Sequence, residues 1–87
     1  MGYKQPETVM TREVDDGIVL LESRSGNYFG LNGAAARMYA LLTAGQSPGD
    51  VADRIVEEFD TDRDRALRGC ENLTRELTAE GLLLPAD

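Results

Sequence analysis

Few side chains in this 87-residue chain are suited to chemistry. There is no histidine, which removes the commonest general base and the commonest metal ligand. The single cysteine, Cys70, falls on the apolar stripe of a predicted helix and reads as a small core residue rather than a reactive thiol. Asp60, Asp62 and Asp64 alternate along the chain as they would in a calcium loop. Arg63 and Arg65 interleave with them, however, and no glycine or distal glutamate follows at the required place. Helix capping and compensation of the helix dipole account for these acids better. Gly26 and Gly30 do not form a phosphate loop, since no Lys-Ser or Lys-Thr follows. The chain is therefore expected to be no enzyme, with no metal and no cofactor.

Composition narrows the remaining functions. A chain of this length reads as one domain with a thin core, better suited to a surface or groove than to a walled pocket. Sixteen acids against nine bases give a net charge of -7, a field that repels nucleic acid and anionic membrane and favours a neutral or basic partner. No apolar run approaches a membrane span, and the first ten residues carry no apolar signal-peptide core, so a cytoplasmic location is expected. A lone cysteine agrees with a reducing compartment.

The elements follow from local signals. Residues 1–8, with Gly2 and Pro6, read as a loose arm, and residues 9–87 as the domain. "TVMTREV" and "GIVLLE" read as strands around an Asp15-Asp16-Gly17 hairpin turn, where Asp and Gly tolerate positive φ. After the turn "SRSGN", "NYFGL" is the third strand of an antiparallel meander. Asn32 is placed to cap a first helix carrying Ala35, Met38, Leu41 and Leu42, which Gly45 stops. Ser47 and Pro48, with Asp50, open a second helix, whose stripe is Val51 or Ala52, Ile55, Val56 and Phe59. Thr61, with Asp64 in the third helical position, opens a third. Its stripe is Ala66, Cys70, Leu73 and Leu77, flanked by Leu67 and Thr74, and Gly81 ends it. The apolar tail "LLLP" packs back on the core. Strands first and helices after predict an α+β domain, a three-stranded antiparallel sheet followed by three helices on one face.

The third strand is where this inventory points. If strand order follows sequence, residues 27–31 form an open edge. Such edges are usually blunted by lysine, proline or a bulge. This one carries Tyr28, Phe29 and Leu31 and no charge. Inward-facing Phe29 and Leu31 account for part of that composition but not for an unguarded edge. An extended peptide could add to it as a fourth strand.

The run Val19-Leu20-Leu21-Glu22, the stretch from Gly26 through Tyr28, Phe29, Gly30 and Leu31 to Asn32, the helix from residue 35 to 42 and the closing Gly81-Leu82-Leu83 resemble the PqqD-like family. That family includes the winged-helix-like recognition elements that bind leader peptides of ribosomally made, post-translationally modified peptides. The likeness covers about residues 9–84. Glu22 departs from it, standing where the family more often shows Asp. The resemblance implies a leader added antiparallel to the third strand and packed against the third helix. Carried over, the peptide-binding residues are Asn27, Tyr28, Phe29, Gly30 and Leu31 on the strand. On the helix they are Leu67, Cys70, Glu71, Thr74 and Leu77, with Arg68 and Arg75 at the rim. Core packing competes for Cys70 and Leu77, and pairing with Asp64 and Glu71 at i,i+4 competes for the two arginines.

The implied partners are a precursor peptide and a processing enzyme. The short loops and the first helix resemble the free-standing domain of lasso-peptide biosynthesis, which serves a leader peptidase. The alternative is a chaperone that presents a precursor to a radical-SAM enzyme, as in pyrroloquinoline quinone biosynthesis. A non-catalytic subunit of an enzyme complex also fits, and the oligomeric state, a monomer included, stays open. Winged helices also read DNA, but residues 62–80 hold four arginines against five acids, and phosphate binding needs a basic surface.

Overall fold

The computed structural model describes residues 2–86. Met1 and Asp87, the outer ends of the expected arm and domain, lie outside the described residues. In chain order the elements are β1 (Gly2–Lys4), β2 (Val9–Val14), β3 (Gly17–Glu22), β4 (Tyr28–Asn32), α1 (Gly33–Thr43), α2 (Pro48–Glu58), α3 (Arg63–Ala79) and β5 (Leu84–Ala86). β2, β3 and β4 form the expected antiparallel meander, in that spatial order, and three helices follow it. The fold is α+β. No described helix is long and apolar enough to cross a membrane.

The register puts Leu20 opposite Thr11 and Phe29, and Ile18 opposite Glu13 and Leu31. Side chains alternate across a sheet, so Val9, Leu20 and Leu31 share the inner face, and all three are buried. The helices cover that face with Met38, Tyr39, Leu41 and Leu42 from α1, Val51, Ala52 and Ile55 from α2, and Ala66, Cys70, Leu73 and Leu77 from α3. Leu82 and Leu83 of the tail close the core, while Leu84 and Pro85, expected there too, are exposed. The buried Tyr39 hydroxyl donates to the Leu82 carbonyl at 2.9 Å, so the tail is fixed by a hydrogen bond as well as by packing. Burial pushes the Tyr39 phenol up to about 12, so it stays a donor at any ordinary pH.

Several local expectations differ from the structure. The Asp15-Asp16 turn forms, with Val14 opposite Gly17, but neither aspartate has positive φ. Gly17 is needed for space instead, because a Cβ there would collide with the Leu31 carbonyl oxygen. Asn32 holds the cap position of α1, yet its side chain makes no capping bond. Ser47 caps α2 as expected, accepting from the Asp50 amide. Asp62, not Thr61, caps α3, accepting from the Arg65 amide at 2.8 Å. This moves Asp64 to the second helical position. Val56 and Phe59 are exposed, and Phe59 is the extended C-cap of α2 rather than part of its last helical turn.

The largest departure is at the chain start. Residues 2–4 of the expected loose arm form β1, which pairs antiparallel with β5: Gly2 with Ala86, Tyr3 with Pro85 and Lys4 with Leu84. This two-stranded ribbon stands apart from the main sheet and rests on the end of α1, where Gly2 abuts the backbone of Gly45.

Candidate functional site

β4 is bonded to β3 on one side and, among the described residues, to no strand on the other, so it is an open edge. The ladder shows which of its backbone groups are free. The Glu22 amide donates to the Asn27 carbonyl at 2.9 Å, and the Gly33 amide donates to the Asp16 carbonyl at 3.2 Å. Bonded and non-bonded pairs alternate in an antiparallel ladder. With Leu20 opposite Phe29 and Ile18 opposite Leu31, the bonded positions are Asn27, Phe29 and Leu31. The backbone groups of Tyr28, Gly30 and Asn32 therefore point out of the open edge. The Tyr28 side chain is 76% exposed beside them, while Leu31 and most of Phe29 turn inward to the core.

Glu22 aims this edge. Its carboxylate accepts from the Arg24 amide at 3.0 Å and the Ser25 amide at 2.7 Å, closing the turn that leads into β4. Gly26 supplies the left-handed residue of that turn, with φ 79°. Hydrogen bonding from the Thr8 side chain, then from Ser25 and Arg24, holds the Glu22 carboxyl down at about 2 against the effect of desolvation. Sequence reasoning did not identify Glu22 as a turn residue. A carboxylate three residues ahead of a Ser-Gly turn is the signal that could have found it.

The helical side divides the residues carried over from the resemblance. Cys70 and Leu77 are 0% exposed and belong to the core, so neither offers a surface to a peptide. Burial raises the Cys70 thiol above its ordinary value, as suits an inert side chain. Thr74 is 8% exposed, and its hydroxyl donates to the Cys70 carbonyl. Leu67 is half-buried against the core, and Arg68, Glu71 and Arg75 are exposed. Arg75 donates to Asn72 at 3.0 Å rather than pairing with Glu71.

The structure does not gather all of these around β4. Glu71, Thr74 and Arg75 line a depression of about 540 Å³ together with Tyr3, Pro48 and Pro85, so this half of α3 faces the β1–β5 ribbon. α1 packs on β4 and also meets α3, where a Cβ on Gly69 would stand 3.6 Å from the Met38 methyl. α1 therefore touches both strand and helix. Sequence reasoning missed the outer face of the sheet. There Met10, Leu21 and Tyr28 form one row, and all three are exposed. The alternation in "TVMTREV" and "GIVLLE" contains that face as well as the inward one.

Of the acids around the start of α3, Asp62 is engaged structurally, as are Asp53 and Glu58 on α2. Asp62 caps α3 and Asp53 holds Arg63 at 2.8 Å. Glu58 pairs with Arg37 at 2.7 Å, joining α2 to α1. Among the described residues no group of three His, Cys, Asp or Glu is placed to hold a metal ion. What the site presents is backbone: outward amides and carbonyls on an uncharged strand.

Comparison with known proteins agrees with this architecture. No curated protein matches the chain. Two solved structures resemble it over nearly their whole length. One is described as lasso peptide synthetase B1 complexed with the leader peptide. It is 34% identical, with 98% of this chain and 100% of that chain covered and a TM-score of 0.88. The other is TbiB1 in complex with the TbiA(beta) leader peptide, also 34% identical, with 97% and 99% covered and a TM-score of 0.84. The family model described as coenzyme PQQ synthesis protein D matches residues 17–83. A match across β3, β4 and all three helices, on a fold shared at this identity, places this chain in the PqqD family.

Proposed function

We propose that this chain is a non-catalytic recognition protein. It binds the leader segment of a ribosomally made precursor peptide as a strand added to β4 and delivers it to a processing enzyme, the leader peptidase of lasso-peptide biosynthesis. The observation that carries this reading is the edge of β4, where three residues direct unpaired backbone groups outward with no charge or proline to guard them. Both solved relatives hold leader peptides, which supports the same ligand here. Ladder bonds to Tyr28, Gly30 and Asn32 supply affinity, and side chains meeting Phe29, Leu67 and α1 supply selectivity. Arg68 is the exposed rim group nearest in sequence to that wall. Lasso processing is preferred over presentation to a radical-SAM enzyme because both solved relatives are leader complexes of the B1 type.

The ladder makes the test sharp. Tyr28→Pro removes an amide that faces outward, so peptide binding weakens while the fold persists. Phe29→Pro removes an amide committed to β3, so the fold itself is damaged. Titration calorimetry with a synthetic lasso-precursor leader peptide, paired with thermal unfolding, separates the two. Full leader affinity in a folded Tyr28→Pro protein would rule out strand addition on this edge. Combining a purified lasso precursor, this chain and a purified lasso leader peptidase tests delivery. Leader cleavage that is no faster with this chain present would remove the peptidase from the reading.

A further inference from the structure

Gly30 lies in the interior of β4, where glycine weakens a strand because it costs more entropy to order and packs nothing. The fold does not explain it. Its φ is not in the left-handed region, unlike that of Gly26, Gly33, Gly45 and Gly81. A Cβ at position 30 would meet nothing within 4 Å. Gly17, opposite Asn32 one row along, is the contrast: there a Cβ would strike the Leu31 backbone. One glycine is required by the fold and the other is not.

The empty position opens onto a depression of about 300 Å³ at that end of the sheet, lined by Val14, Asp16, Val19, Gly30 and Asn32 among others. Val19 stands opposite Gly30 in the ladder, on the outer face. Gly30 is also one of the residues whose amide and carbonyl face the open edge. A strand added there places one of its residues in a hydrogen-bonded pair with Gly30, about 5.5 Å away between Cα atoms. The side chain of that residue falls on the same outer face, over the missing Cβ.

We infer that Gly30 is a specificity-determining residue. Its absent side chain forms a subsite for one large side chain of the bound leader, on the outer face of the sheet and separate from the helical wall. The inference rests on the strand-addition reading and adds a chemical class to it. The body of the guest side chain lies across Gly30 against Val19 and is apolar. Its tip reaches the end of the depression where Asp16 and Asn32 stand, so it carries a hydrogen-bond donor. Arginine, lysine and tyrosine meet both requirements. Aspartate and glutamate are disfavoured there by the exposed Asp16 carboxylate.

The test uses the full chain and a displayed library of random linear 16-residue peptides, selected in parallel on the wild type and on Gly30→Val. Amide mapping places the selected peptides. Wild-type peptides on β4 are expected to carry a large donor-tipped residue in register with Gly30, and Gly30→Val peptides a small one. The best wild-type peptide should bind Gly30→Val at least about fivefold more weakly, and alanine at the register position should abolish the difference, as a direct pair requires. Gly30→Ala should melt no lower than the wild type. Equal affinities, or identical residue preferences at that position, would overturn the inference while leaving strand addition standing. A several-degree drop in melting temperature for Gly30→Ala would overturn it too, by showing that the fold needs the glycine. Selected peptides that map away from β4 would overturn strand addition itself, and the inference with it.

Discussion

Glu22 ties the chemistry of one residue to the geometry of the site. Its carboxylate gathers the Arg24 and Ser25 amides and closes the turn before β4, so it helps fix where the open edge begins. Those hydrogen bonds favour the charged form, and the folded carboxyl sits at about 2 instead of its ordinary 4.5. The direction of the linkage follows. A carboxyl depressed by folding contributes stability that is fully present above its unfolded value and is lost as pH falls through the folded one. Wild type should therefore exceed Glu22→Gln in melting temperature by a constant margin above about pH 4.5, and the margin should shrink as pH falls towards 2. Glutamine still accepts a hydrogen bond but does not titrate, which isolates the charge. A margin independent of pH across that range would show that the turn is held by shape alone.

At the scale of elements, the caps offer a direct test of what holds each helix start. Ser47 and Asp62 accept amide bonds from the first turns of α2 and α3, so Ser47→Ala and Asp62→Ala should each cost about 1 kcal/mol in denaturant unfolding. Asn32 occupies the same position on α1 with no capping bond, and Asn32→Ala should cost no more than half of that, about 0.5 kcal/mol or less. An equal loss at all three sites would mean that the cap residues act through backbone preference rather than through their side chains. The same three residues show what was legible in the sequence. Residue type and spacing located every helix start within a residue or two. They did not distinguish Asp62 from Thr61, because both suit a cap and the choice depends on where α3 meets α2. Likewise, helical spacing joins Ile55, Val56 and Phe59 in one stripe, but only Ile55 is buried, and spacing alone does not show that Phe59 is the extended C-cap, outside the helix. The meander and its open edge were legible because alternation and turn residues are local signals. Which half of α3 faces β4 was not, because it depends on how α1 packs against both. Cys70 and Leu77 were accordingly assigned to a groove they do not line.

At the scale of the whole molecule, the chain ends meet. β1 and β5 pair residue for residue although more than seventy positions separate them, a non-local contact that no local pattern in "GYK" or "LPA" announces. Three residues make a marginal ribbon, so its persistence depends on where it docks. Gly2 provides the docking point: a Cβ there would lie 2.6 Å from the Gly45 carbonyl oxygen and 2.9 Å from its carbon, and both are backbone atoms that cannot swing away. The ribbon also supplies Tyr3 and Pro85 to the depression in which Glu71, Thr74 and Arg75 stand. Displacing it should thus open that half of α3 without touching β4. Gly2→Val is the substitution that asks this, since it keeps the chain length and forces the ribbon off the end of α1. It should lower stability by about 1–3 kcal/mol, the range for overpacking a close contact. Amide exchange should speed up in residues 2–4, Leu84 and Ala86 while the amides of β3 keep their protection. Leader affinity should be unchanged if the peptide is held by β4 and α1. A leader that lost affinity in Gly2→Val as β4 kept its native exchange would instead place part of the bound peptide along the ribbon side of α3, where Glu71, Thr74 and Arg75 are.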